Sequence, residues 1–238
     1  MTRFSRQRGQ PSHEGAANTQ YMYVHPWIVK GDWLNRRHNR LMQDLEQELL
    51  STAARFIVEE GLSYQASKKR AVKLLGLPLR TALPNNDDLE EHVREYIALF
   101  CSDTQPGELL ALRQLAVVWM RRLEEFKPHL AGAVWRGMAT RLNDIHLQLF
   151  CDDSKSAEIK LIDQGVSYDV NPSSGIHGQT VDVLSLSSWC EPLNEYVGVH
   201  LSIYDLDDIR GALQPDSKGL TKSGSFKSLE LLLKDTHE

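Results

Sequence analysis

The chain has 238 residues, of which 41% are hydrophobic and 25% charged, with a net charge of -5. That length supports one large domain or two small ones without disulfide support, and the balance excludes a general attraction to nucleic acid or anionic membrane. Three cysteines at wide spacing, Cys101, Cys151 and Cys190, form neither a disulfide framework nor a zinc knuckle and fit a reducing cytoplasm.

Residues 1–20 are polar and aperiodic, which predicts a disordered arm. No apolar h-region and no run of about 18 apolar residues is present, so neither secretion nor a membrane partner is expected. The segment "YMYVHPWIVKGDW" gathers Tyr21, Tyr23, Trp27 and Trp33 and reads as an extended strip docked on the body, or as a partner-binding strip. From Trp33 to Glu60, Leu34, Leu41, Leu45, Leu49, Ala53 and Phe56 recur at helical spacing, with Gly61 as the stop. Two further helices follow, "SYQASKKRAVKLLG" and "NDDLEEHVREYIALF". In the second, Asp87 or Asp88 is the expected cap and Leu89, Val93, Ile97 and Phe100 the apolar stripe. Residues 21–106 thus read as a helical N-terminal region. Its Lys68, Lys69, Arg70 and Lys73 invite a DNA-binding helix-turn-helix reading, but the acidic "NNDDLEEHVRE" behind them disfavours it.

Past "CSDTQPGE", with a boundary near residues 101–107, a helix is expected over Glu108–Phe126, with Leu112, Leu115, Trp119, Leu123 and Phe126 on one stripe. Short alternating runs then replace long helices. "DIHLQLFC", "VSYDV", "TVDVLSL" and "VGVHLSIY" read as strands, with the helix "SKSAEIKLIDQG" after the first, capped by Asp152 or Asp153. Asp205 or Asp207 is an expected cap in "YDLDDIRGAL", and a loop after Gln214 leads to a short final helix. Residues 107–238 therefore form an α+β domain with a mixed or antiparallel sheet. Common phosphate-loop, hydrolase-elbow, zincin and kinase motifs are missing from the sequence.

The stretch most suited to chemistry is "HLAGAVWRGMATRLNDIHLQLFCDD". Gly132 and Gly137 allow a tight turn and close backbone approach, Arg136 adds a positive charge, and alternation puts Asp144, His146 and Gln148 on one strand face. Asp182, in "TVDVLSL", is a second acid flanked by β-branched residues, a costly place unless it is paired or metal-bound. Over residues 108–190 this layout resembles the nucleotidyltransferase superfamily, polymerase-beta-like and of the minimal type. Gly132 and Ala133 stand at the Gly-Ser signature, Gly137 at the second loop glycine, Asp144 at the first acid and Asp182 at the third.

The resemblance implies a divalent metal, Mg or Mn, held by Asp144, His146 and Asp182. It also implies an NTP held by Gly132, Ala133, Arg136 and Gly137 with help from Lys155 or Lys160, and transfer of a nucleoside monophosphate to a hydroxyl acceptor. Two departures stand out. Ala133 lacks the serine hydroxyl, and His146 replaces the second acid, which weakens magnesium binding and favours softer ions. A catalytically inactive nucleotide-binding or partner-binding protein, in the manner of the superfamily's antitoxin members, is therefore the alternative.

Overall fold

The computed structural model describes residues 26–78, 80–175, 178–212 and 221–235. The arm expected at 1–20, Tyr21 and Tyr23, and the loop immediately after Gln214 lie outside these residues. The chain divides into two compact units, residues 1–44 and 45–238. The division falls inside the first helix, α1 (Pro26–Glu60). Trp27 and Trp33 lie on this helix and not on an extended strip. A proline at the first helical position needs no amide partner and brings a helical φ, so the start at Pro26 is physically favoured over one at Trp33.

In the second unit, Gly61 stops α1 with φ +67, and its N–H donates to the Ile57 carbonyl at 3.0 Å. Ser63 caps α2 (Tyr64–Leu74) by accepting from the Ala66 amide. The next cap is Asn85, whose Oδ1 accepts from Asp88 N at 2.8 Å, rather than either expected aspartate. It opens α3 (Asn86–Phe100), which buries Leu89, Val93 and Ile97 while Phe100 is exposed. These residues pack with Leu49, Leu50, Ala53, Ala54 and Ile57 of α1 and with Met138. The expected basic face of α2 is partly consumed by this packing. Lys68 is buried and donates to the Pro84 carbonyl and Asn86 Oδ1, both at 2.8 Å, while Arg70 pairs with Glu60 and lies over the Phe56 ring.

Pro106 in its first turn starts α4 (Gln105–Arg122) three residues earlier than expected, and a separate short 3-10 turn covers Glu124–Phe126. The sheet is mixed, in the order β3-β4-β5-β2-β1-β6. Its strands are β1 (His129–Ala131), β2 (Ile145–Phe150), β3 (Asp169–Ser174), β4 (Thr180–Cys190), β5 (Glu195–Tyr204) and β6 (Ser223–Ser225). Only β2 and β5 run parallel; every other pair is antiparallel. The run "VSYDV" is strand only from Asp169, and β1 and β6 were not expected. The remaining helices are α5 (Gly132–Arg136), α6 (Ser154–Asp163), α7 (Ile209–Ala212) and α8 (Phe226–Asp235). Asp153 caps α6, and Asp205 accepts from the Asp207 amide, as the sequence suggested.

One sheet face carries Ile145, Leu147, Leu149, Leu184, Leu186, Val199, Leu201 and Ile203, all buried against Leu112, Met120, Leu123, Leu161 and Leu229 of the helices. The other face is polar over much of its width. Strand register aligns Asp169, Ser185, His200, His146, Ala131 and Ser223 in one row across all six strands. Directly paired residues share a face, so the row is a continuous strip of side chains. Among the described residues, no helix is long and apolar enough to cross a membrane.

Candidate functional site

The glycine turn is built as its residues require. Gly132 (φ +70) and Gly137 (φ +79) occupy left-handed backbone at either end of α5. That conformation is costly for most residues with a Cβ, which favours glycine at both positions. Side chains of α4 reach under the turn and bind its carbonyls. Gln105 Nε2 donates to the Ala139 and Gly137 oxygens at 2.9 and 3.2 Å, and the buried Arg113 donates to the Val134 and Trp135 oxygens at 3.2 and 3.3 Å. Trp135 Nε1–H donates to the Thr221 oxygen at 3.0 Å. The turn is thus held rigidly from two sides.

A cavity of about 430 Å³ opens beside it, walled by Ser63, Tyr64, Glu90, Gly132, Ala133, Arg136, Asn143, Asp144 and His146, with Ile57, Leu62 and Met138 at its apolar part. Arg136 pairs with Glu90, and both side chains are largely buried. The Tyr64 hydroxyl donates to the same carboxylate, and burial together with Glu90 raises the pKa of that hydroxyl.

Asp144 sits just before β2, where its carboxylate is already engaged. Oδ1 accepts from the Gly198 amide at 3.2 Å and Oδ2 from His200 Nε2 at 3.1 Å. These contacts hold its pKa below the ordinary carboxylate value, with the His200 hydrogen bond the largest cause. The other His200 nitrogen, Nδ1, is hydrogen-bonded with Ser185 Oγ at 2.9 Å. The His146 ring stacks on His200 with centroids 5.0 Å apart. His146 lines the cavity and keeps exposed surface, and desolvation by the atoms packed around the ring, followed by the charge of His200, lowers its pKa.

Gly198 is required by this arrangement. A Cβ there would lie 2.5 Å from Asp144 Oδ1, so Gly198→Ala is expected to expel the carboxylate and lower stability by about 1–3 kcal/mol, read by urea denaturation. A change under about 0.3 kcal/mol would show that Asp144 is not held there.

Buried His129 also has a lowered pKa, chiefly from desolvation, while its Nδ1–H donates to the Lys127 carbonyl at 2.8 Å. A histidine whose folded pKa lies below its ordinary 6.5 binds fewer protons in the folded state. Stability is therefore full above about pH 6.5 and falls as pH drops toward the folded values of His129 and His146. Asp144 adds a second loss below its ordinary 3.8. Melting temperature is expected to fall between pH 7.5 and 5.5, and less steeply in His129→Asn, which keeps a neutral donor. Equal slopes in the two proteins would refute the role of His129.

The structure brings Gly132, Ala133, Arg136, Asp144 and His146 together; Gly137 closes the turn beside them. It separates them from Asp182 and Lys155. Asp182 lies two residues before buried Leu184, which puts it on the core face, opposite Asp144. It is one position beyond the Val183–Ser202 pair, level with Ile203, whereas Asp144 is level with Gly198. That separation is five residues of strand, about 17 Å. Asp182 lines a different cavity, of about 390 Å³, with Asp152, Asp205 and Asp208. Lys155 is exposed and pairs with Glu158.

The metal expectation is therefore not matched by the donor set. Asp144 and Asp182 face opposite sides of the sheet, the available oxygens of Asp144 already accept hydrogen bonds, and His146 replaces the second acid. Among the described residues, no group of three His, Cys, Asp or Glu side chains converges as a metal site. Residues that the sequence did not single out complete the site: Tyr64, Glu90, Ser185 and His200. Only His200 left a trace, since alternation in "VGVHLSIY" sets it apart from Val197, Val199 and Leu201. No family model matches the chain, and no curated protein matches it.

Proposed function

We propose that the cavity beside the glycine turn binds a nucleoside or nucleoside monophosphate, in a chain with a nucleotidyltransferase-like layout that does not perform two-metal transfer. The observation that carries this reading is that Gly132, Ala133, Arg136, Asp144 and His146, chosen from the sequence for nucleotide handling, wall one cavity. Its volume lies in the ordinary range for small-ligand sites, and it pairs an apolar part with a few convergent polar groups. Charge selects within the nucleotide class. Arg136 is offset by Glu90, and Asp144 leaves the walls with a net charge of about -1, which disfavours a triphosphate.

Calorimetric titration of the full chain with the four common nucleosides and their mono- and triphosphates tests this. At least one nucleoside or monophosphate is expected to bind more tightly than its triphosphate. Asp144→Asn should improve triphosphate affinity relative to monophosphate by about tenfold. Absence of binding by every compound would sink the reading. Transfer of labelled nucleoside monophosphate from an NTP to any acceptor would overturn its non-catalytic part.

A further inference from the structure

The polar face of the sheet carries a second constellation, of which Asp144 alone also walls the cavity. Ser185 and His200 are directly paired across β4 and β5, and Asp144 stands just before β2 within hydrogen-bond reach of the same histidine. Their contacts form a chain: Ser185 Oγ to His200 Nδ1 at 2.9 Å, and His200 Nε2 to Asp144 Oδ2 at 3.1 Å. The general-base role requires one polarity of that chain. An ionised carboxylate only accepts, so Nε2 carries the proton, and in the tautomer that acts as base Nδ1 offers its lone pair to the serine hydroxyl. The Gly198 amide fixes the carboxylate from behind, and the stacked His146 ring limits rotation of the imidazole. Ser185 is partly exposed, as are His200 and Asp144, and Ser185 does not line the nucleotide cavity.

We propose that Ser185 is a nucleophile, activated by His200 as general base with Asp144 as the positioning residue, toward small acyl esters. Nucleophile, base and orienting acid are recognised by their roles and geometry, whichever ring nitrogen faces the serine. In the step, Ser185 Oγ forms a bond to the ester carbonyl carbon and its proton passes to His200 Nδ1. The carbon–oxygen bond to the leaving alcohol breaks, and that oxygen takes the proton from His200. Water, deprotonated by His200, then attacks the acyl-serine, and Ser185 recovers its proton as the carboxylic acid leaves.

The full chain is incubated with an alkyl fluorophosphonate, which reacts by the same attack with loss of fluoride, and the adduct is located by peptide mass spectrometry. A single adduct on Ser185 is expected. It should vanish in Ser185→Ala, slow by about 100-fold in His200→Gln, and persist in Ser187→Ala, one row pair further along β4. In Asp144→Asn the maximal labelling rate should fall about tenfold at an unchanged half-saturating probe concentration, which a merely structural loss would not produce. Hydrolysis of p-nitrophenyl acetate should follow the same order. Circular dichroism melts show that each variant compared is folded; should His200→Gln not fold, His200→Asn replaces it. No adduct on Ser185 of the unaltered chain, or labelling indifferent to the His200 variant, overturns the proposal. Ser185→Ala leaves the nucleotide cavity untouched, so nucleotide binding and serine labelling stand or fall separately.

Discussion

Replacing Arg136 by Ala is expected to lower the unfolding free energy by about 3–5 kcal/mol, the range for stranding one partner of a buried ion pair, here Glu90, and Glu90→Ala is expected to lower it as well. Each side chain is only 14% exposed, so the survivor has little access to water. Losing Glu90 also strands the Tyr64 hydroxyl, which donates to the same carboxylate. The pair spans 46 residues and joins α3 to the last residue of α5, so its loss loosens the wall of the cavity as well as the fold. Arg94, which donates to the Arg136 carbonyl at 3.2 Å, stays in place in both variants. Removing both charges together is a different experiment. Glu90→Leu combined with Arg136→Leu leaves no buried ion and is expected to recover most of the loss, because desolvation opposes much of the attraction within such a pair. Equilibrium denaturation of the two single variants and the double variant measures this. Single-variant losses under about 1 kcal/mol would mean that water reaches the stranded charge and that the pair behaves like a surface bridge.

The contrast between Asp144 and Asp182 shows what kind of information the sequence carries. Gly132 to His146 is a local stretch, and a β-turn-helix-β unit folds its parts together, so its shared cavity was legible from residue order. The span of α3 was equally legible from its Leu89, Val93 and Ile97 stripe, a local signal, although its cap is Asn85 and neither Asp87 nor Asp88. Asp182 required a choice of face. In the sequence it is an acid between Val181 and Val183, in a run that looks buried throughout. Strand register instead buries Leu184 and Leu186 in the main core and puts Val181 in a separate small cluster with Phe150 and Tyr204. A one-residue difference in parity inverts every side chain of a strand, and both faces of β4 carry apolar residues, so alternation alone could not decide. Glu90, Tyr64 and Ser185 reach the site through tertiary contacts with residues 46, 26 and 15 positions away along the chain. The strands β1 and β6 hold three residues each, too few for periodicity to register.

Gly224→Ala is expected to be among the most damaging single-methyl additions to the sheet, with a loss of about 3 kcal/mol or more. Gly224 is buried on β6, opposite Leu130 of β1, and a Cβ there would stand 2.2 Å from two carbons of the Trp135 indole and 2.5 Å from a third. The indole cannot swing aside cheaply, since its Nε1–H donates to the Thr221 carbonyl and the residue lies within α5, between the two glycines of the turn. Strand and indole must therefore separate, which weakens β1–β6 pairing and tilts the helix that carries Arg136. Gly107→Ala in α4 provides the matched comparison: nothing lies within 4 Å of its Cβ, and helix propensity predicts a gain of up to about 1 kcal/mol. Combining Gly224→Ala with Trp135→Ala should be less destabilising than the sum of the two separate changes, because the smaller side chain makes room for the new methyl. Urea denaturation of these proteins, with hydrogen exchange at the β1 amides, measures both effects. A Gly224→Ala chain within about 0.5 kcal/mol of the parent would show that the Trp135 ring does not occupy the space over β6, and the pinning of the glycine turn from that side would fall with it.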